Sequence, residues 1–492
     1  MPEDTVADPT DPGTRRPDVP PLTSHGDKYY PMHLPNYPPE IRIPEGVDAD
    51  DPLSLFTMYY TPEIIEWIVQ KTNEHIRDAQ DHSNPYARPL LWYPTCAGEL
   101  YIYFAIRIYM TYNIQHEISD YWSDKEYLAH HDITNHMLRD RFQELHMRVR
   151  LAGDKASGPY QRVNKLSEHV QDVNLSVYIP GRDVAVDELA LGGTKRSGNK
   201  GNKTQAVCLK LLQRLPPPLT GYGYHVFLDN LFVSAKFVAY ARTLGFGVTG
   251  TCRTNSGIIQ ELLDLKKLDK NDVIPWGTLY SFPTIDGKTL QIRWKDQAFV
   301  LFMTSVLSDD EVVERERKRP KETSSKAKTS RAVFAKGEAV KPLPIPIVAD
   351  RYNYKIGAVD EGDHLIAQNP GLREIRRGGH QAIEHWIFRL ILVNSYLLAE
   401  RAEVEEPRKL TFRSQQEFRR ILVKGLIEKA GEAFYRSPKK RVSIEGGLGT
   451  GRRKELHWEK SLQIRIVHLR AISAGMAANN ALYTFVKSGP VL

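Results

Sequence analysis

The sequence predicts a mixed α/β protein in which a strand-bearing middle is flanked by helical regions. Three observations point there. Short apolar runs with strand alternation stand next to helical segments in the middle third, as in YHVFLDNLFVSAKF at 224–237. The tract SFPTIDGKTLQIRWKDQAFVLFMTSV carries two turn signals, Asp286-Gly287 and Lys295-Asp296, between alternating apolar residues, the pattern of an antiparallel meander. Helical spacing dominates before residue 175 and returns in the last part of the chain. At 492 residues there is material for more than one domain.

Taken in order, residues 1–52 are rich in Pro, Asp and Gly without periodicity and read as a disordered arm. Residues 53–175 read as a helical domain. In it Thr61 can cap a helix with Pro62 at its first position, and Ile64, Ile65, Ile68 and Val69 form the apolar stripe. GELYIYFAIRIYMTYNI and LRDRFQELHMRVR give two further helices. Residues 176–306 form the first part of the core. There Val184 and Val186 alternate up to Asp187, and Thr204 opens a helix that the proline run after Leu215 closes. The buried strand YHVFL follows, then a helix ended by Gly245, then the strand FGVTGT. Residues 307–341 collapse into charge and small polar residues and read as a flexible basic linker. Residues 342–402 supply the last part of the core, ending in the apolar helix HQAIEHWIFRLILVNSYLLAERA, where Trp386 reads as a core anchor. Residues 403–492 read as a helical, basic C-terminal region.

Composition excludes several classes. Cys96, Cys208 and Cys252 are scattered, so neither a disulfide framework nor a cysteine zinc module is expected. The sixteen histidines form no metal-binding spacing. No apolar leader or membrane-length apolar run occurs, and no membrane partner is expected. A formal net charge of +7 leans only weakly toward an anionic partner.

The chemistry sits in carboxylates at the ends of apolar runs: Asp187, Asp229, and the pair Asp360 and Asp363 in YNYKIGAVDEGDHL. Gathered together they would raise one another's pKa, a penalty that bound divalent cations remove. Magnesium takes a few carboxylates and keeps its other positions for water and phosphate oxygens. Taken singly, each aspartate is as readily a cap or turn residue, and Asp-Asn is good turn chemistry.

The ordered motifs DELAL, LDNLFVSAKFVAYARTLGFGVTGTCRTNSG, QIRWKDQAFVLFMTS and PLPIPIVADRYNYKIGAVDEGDHL resemble the piggyBac transposase family, fungal members above all. PWGTL, TQAV and VNSYLL fit the same branch, and the likeness covers roughly residues 53–425. The resemblance implies an RNase H-like core, two Mg²⁺ ions and cut-and-paste DNA transposition in the nucleus. It assigns Asp187, Asp229 and Asp360 as the catalytic, metal-binding aspartates and Asp363 as an additional metal ligand. Double-stranded DNA, as transposon ends and TTAA targets, is the implied partner, together with a second copy of the chain.

One departure from that pattern has a physical consequence. Only sixteen residues, Glu188 to Lys203, separate Asp187 from Thr204, and most are Gly, Lys, Asn and Ser. Two strands of ordinary length with their turns would consume that gap, with almost nothing apolar to bury. The core is therefore expected to lack its second and third strands, leaving the strand before Asp187 with one open side. Activity is in question for that reason, and the alternative is a non-catalytic DNA-binding descendant. Basic residues offered for DNA are Arg253 in GTCRT, Arg317, Lys318 and Arg319, Arg376 and Arg377, and Lys439, Lys440 and Arg441. RERKRPK and RSPKKR also suit nuclear import.

Overall fold

The computed structural model describes residues 21–80, 93–126, 128–152, 161–186, 201–218, 221–269, 273–324, 327–369, 380–402 and 410–436. The described elements run β1 (Glu40–Ile41), α1 (Pro52–Tyr59), α2 (Pro62–Gln80), α3 (Ala97–Tyr109), α4 (Arg139–Arg148), α5 (Asn164–Val177), β2 (Tyr178–Ile179) and β3 (Asp183–Val186). Next come α6 (Gly201–Leu212), β4 (His225–Leu228), α7 (Ala235–Thr243), β5 (Gly247–Thr251), α8 (Gln260–Leu268), β6 (Leu279–Pro283), β7 (Leu290–Lys295) and β8 (Phe299–Thr304). The rest are β9 (Val312–Lys318), α9 (Lys328–Ala332), β10 (Val340–Pro346), α10 (Ile347–Ala367), α11 (His380–Arg401) and α12 (Gln415–Arg436). They fall into two compact units. Among the described residues one takes 21–40 and 178–364, the other 41–177 and 365–436.

The second unit is helical. α3 packs along α12, where Gly98 lies so close to Ala430 that an added Cβ would sit 3.1 Å from its carbonyl oxygen. α1 packs on α11 and α12. Asp51 caps α1 by accepting from the amides of Leu53 and Ser54, and Thr61 with Pro62 opens α2 as its sequence predicts. The centre is aromatic, with Phe56, Tyr60, Phe104 and Phe388 in mutual ring contact. Trp386 is buried in α11.

The first unit is built on a six-stranded mixed sheet in the order β3-β4-β5-β8-β7-β6. β3, β4 and β5 are parallel, whereas β8, β7 and β6 form the antiparallel meander read from the turn signals. Gly287 has φ +66°, which the Asp-Gly turn requires. One face of the sheet carries Val184, Val226, Leu228, Val248 and Met303 against Phe237, Val238 and Leu262. The other carries Ala185, Phe227, Ile292 and Phe302 against Val348, Tyr352 and Val359 of α10. Among the described residues β3 pairs with β4 alone, and the short tract after Asp187, 188–200, lies outside the described residues.

Four expectations change. The reading of a disordered arm fails from residue 21 on, and residues 1–20 lie outside the described residues. From there the chain straps the first unit: Gly26 donates to Pro283, Tyr30 to Gly287, Met32 to Ser305, and the Tyr37 carbonyl accepts from Arg182. Its proline-rich sequence hides this because the strap borrows partners from other elements' ends and needs no periodicity. Residues 307–341 are not a plain linker, since β9 within them pairs antiparallel with β10. Charge conceals the strand: its side chains are largely exposed, and main-chain bonds with ion pairs hold it instead of apolar burial. Thr204 does not cap α6, which already begins at Gly201. Asp360 and Asp363 do not end an apolar run but lie inside α10, whose Gly357 and Gly362 mask its periodicity.

Candidate active site at the carboxyl ends of the parallel strands

The three parallel strands end in step, with Val186 opposite Leu228 and Leu228 opposite Gly250. The crevice outside the carboxyl ends of such strands is where open α/β sheets hold ligands. Asp229 is the next residue after Leu228. Asp187, next after Val186 in the sequence, lies outside the described residues. A Cβ at Gly250 would sit 2.3 Å from the Leu228 carbonyl oxygen and 2.7 Å from Val233. Glycine is therefore required at the point where β5 supports the approach to Asp229.

Asp229 is half-buried and starts a tight turn, its carbonyl accepting from the Phe232 amide at 3.0 Å. Asn230 Nδ2 donates to Asp229 Oδ1 at 2.9 Å, and Asn230 Oδ1 accepts from Arg253 Nε at 2.5 Å. Arg253, one of the basic residues offered for DNA, is exposed just past β5. Its Nε serves the loop, holding Asn230 and through it Asp229. Gln205 of α6 donates to the Phe232 carbonyl at 3.1 Å and to Ser234 Oγ at 3.0 Å. Ser234 in turn caps α7 by accepting from Phe237. The TQAV and DN-F-S motifs are thus one hydrogen-bonded unit, a partnership that sequence spacing does not reveal.

On α10, Val348, Tyr352, Lys355 and Val359 follow one stripe at three- and four-residue spacing, facing the sheet. Asp363, four residues after Val359, continues that stripe and is half-buried, whereas Asp360 is exposed beside it. Among the described residues no three His, Cys, Asp or Glu side chains gather closely enough to share an ion. Asp229, Asp360 and Asp363 therefore do not make a three-donor cluster by themselves, and Asp187 falls outside the residues described.

Beneath the strand ends a polar row crosses the face that α10 covers. Asp183 on β3 accepts from Arg182 Nε at 2.6 Å and pairs with Lys355 Nζ at 2.8 Å. His225 Nδ1 lies 3.8 Å from the same carboxylate, its Nε2 is 2.8 Å from Thr249 Oγ1, and that hydroxyl is 2.7 Å from Thr304 Oγ1. Burial would raise the Asp183 pKa, but the hydrogen bonds from Arg182 and Lys355 outweigh it and hold the group at about 2. Burial, with the nearby Arg182 and Lys355 charges, pushes His225 down to about 3 and keeps it neutral. Sequence reasoning missed this row. The one signal for it was polar Asp183 and His225 beginning apolar strands.

The proposed DNA contacts divide. Arg317 is engaged with Asp296 at 2.9 Å, and Arg319 with Glu322 at 3.0 Å. Lys318 is exposed. Arg376, Arg377, Lys439, Lys440 and Arg441 lie outside the described residues.

A mixed sheet with parallel strands ending together, an acidic residue after each of β3 and β4, and an acidic helix across one face defines an RNase H-like core. The family described as Transposase IS4 matches residues 51–198 and 190–396, and the chain belongs to that family. Among solved structures the chain is similar to "Cryo-EM structure of piggyBac transposase synaptic complex with hairpin DNA (SNHP)". That match has a TM-score of 0.55 at 20% identity and covers 80% of this chain and 83% of that one. The fold is piggyBac-like, as the order of motifs predicts. The two family-matched stretches overlap at 190–198, inside the short tract where no room was found for two strands.

Proposed function

We propose that this chain is a DNA transposase that cuts and rejoins phosphodiester bonds with divalent metal at Asp187, Asp229 and Asp360, with Asp363 as an additional ligand. One observation carries the reading. Asp183, Asp264, Asp269, Asp296 and Asp350 in this unit are each paired with Arg or Lys, while Asp286 in the β6–β7 turn and Asp309 after β8 accept from Thr284 and Ser281. Asp229, at the strand end, has no cationic partner among the described residues and takes a hydrogen bond from Asn230 instead. A carboxylate held in place yet left without a counter-charge suits a cation arriving from solution. The donors are all hard oxygens, which fits Mg²⁺, an ion that needs only one or two carboxylates beside water and phosphate oxygens. Bound there, two such ions would supply activation of the attacking oxygen and stabilisation of the leaving one. The chain's own part is to fix Asp229 through Asn230, Arg253 and Gln205, and to present the exposed part of Arg253 to phosphate.

The partner in this reading is double-stranded DNA, as transposon ends and TTAA targets, met by a homodimer in the nucleus. The DNA in the similar solved complex and the basic tracts support it. A second reading, a DNA-binding protein without cleavage, is favoured by the shortness of the tract from Glu188 to Lys203, which has little apolar to bury.

The test is strand cleavage of a TTAA-flanked duplex in Mg²⁺ or Mn²⁺, with Asp229→Asn beside the unaltered chain. Asp229→Asn should melt within a degree or two of the parent, bind DNA equally well and cut none. Cleavage by that variant would remove Asp229 from the reaction. DNA binding without cleavage by the unaltered chain would leave the second reading standing.

A further inference from the structure

Strand β3 has four residues and, among the described residues, one neighbour, so four rungs with β4 are the sheet pairing described for it. Yet it leads directly into Asp187. Besides the burial of Val184, Ala185 and Val186, ionic contacts fix it. Asp183 is 5% exposed and Lys355 is partly buried, and their 2.8 Å contact joins β3 to α10. Arg182 clamps the Asp183 carboxylate with both Nε and Nη2, and its Nη1 reaches the Leu34 carbonyl of the N-terminal strap. A second tie stands three residues earlier on α10, where the Tyr352 hydroxyl meets Thr251 Oγ1 of β5 at 3.0 Å. The helix is thereby fixed in rotation and in height above the strands. Asp360 and Asp363 follow Lys355 by about 7.5 and 12 Å along the axis, at 1.5 Å per residue.

We propose that the Asp183–Lys355 pair is a positioning device for β3, the last described strand on its side of the sheet. It locks β3, and so the entry to Asp187, to the helix that carries Asp360 and Asp363. The proposal rests on the metal reading above for its purpose, though the lock itself is independent of it. Neither residue touches the reacting atoms. Lys355 is the informative one to remove, because Asp183 keeps Arg182 and β3 keeps its rungs with β4.

The test uses the full chain with Lys355→Met and Lys355→Arg, read by hydrogen exchange and by binding of Mn²⁺ alone. Lys355→Met should speed exchange about tenfold in β3 and in 356–364 while leaving β7 and β8 at parental rates. It should also weaken Mn²⁺ about 10- to 100-fold, the range seen for groups that orient metal ligands. Lys355→Arg should recover most of both effects. Unchanged exchange in β3 and α10 would overturn the proposal, as would a loss of protection spread evenly over the whole unit. No Mn²⁺ binding by the unaltered chain would overturn the metal reading instead, and exchange would still decide the lock.

Discussion

Each unit contains a buried ion pair, and the two are built differently. In the helical unit Arg107 of α3 meets Glu384 of α11 in a two-pronged contact at 2.7 and 3.1 Å. The guanidinium lies 4.1 Å from the centre of the Phe388 ring and 5.3 Å from that of Tyr103. Every neighbour is packing: His146 is pushed down to about 3 by burial, then by the Arg107 charge, and the pair leads to no open carboxylate. In the sheet unit Asp183 collects Arg182 and Lys355, and both of its elements continue into predicted catalytic aspartates. A buried charge pair is therefore not a mark of function in itself. What distinguishes the second is where its two elements lead.

The comparison can be broken most forcefully at Glu384. Glu384→Gln leaves Arg107 buried without its counter-charge, and should cost about 3–5 kcal/mol by urea denaturation. Mn²⁺ affinity of the folded protein should not change, in contrast to the behaviour expected of Lys355→Met. Equal weakening of Mn²⁺ by both variants would erase the distinction drawn here.

Acid tests both pairs together. His225 and His146 are held near 3, below the usual 6.5, so the unfolded chain takes up protons that the folded chain refuses. Stability should fall as pH drops from about 6.5 toward 3. Asp183, held at about 2 against a usual 3.8, adds a further loss as pH falls from about 4 toward 2. The total is on the order of a few kcal/mol, measurable as a falling denaturation midpoint between pH 7 and pH 3.5. A flat profile there would show that these groups titrate normally.

The smallest effect belongs to the exposed hairpin. Arg317→Ala breaks a partly exposed pair with Asp296 and should cost less than about 1 kcal/mol. Because that guanidinium is already engaged, the slope of DNA affinity against salt should barely change. A slope reduced by about one unit would restore Arg317 as a phosphate contact.

Strands β3 to β8 with the helices α6 and α7 were legible because their residues carry their own instructions. Val184 and Val186 alternate, Asp286-Gly287 turns, and Gly245 closes α7 at φ +86°. Asp229 was legible through strand grammar and family motif together. Elements that depend on distant partners were not. β9 is a strand because β10 pairs with it, and the strap is placed by carbonyls and amides far along the chain. The tie between Asp183 and Lys355 could not be read either, since each alone is an ordinary charged residue. Arg253 shows the limit at the site itself, where the motif names the residue but only the fold shows which of its nitrogens is occupied.

The strap also sets a schedule. Gly26 and Met32 are made early, but their partners Pro283 and Ser305 follow only after most of the core. At about 5–20 residues per second that wait is roughly 14–55 s on the ribosome. Through that interval an extended segment would be free to pair with a stranger. Pro31, Pro35, Pro38 and Pro39 withhold four amide donors from any such partner, so the same composition that disguises the strap keeps it uncommitted until its place exists.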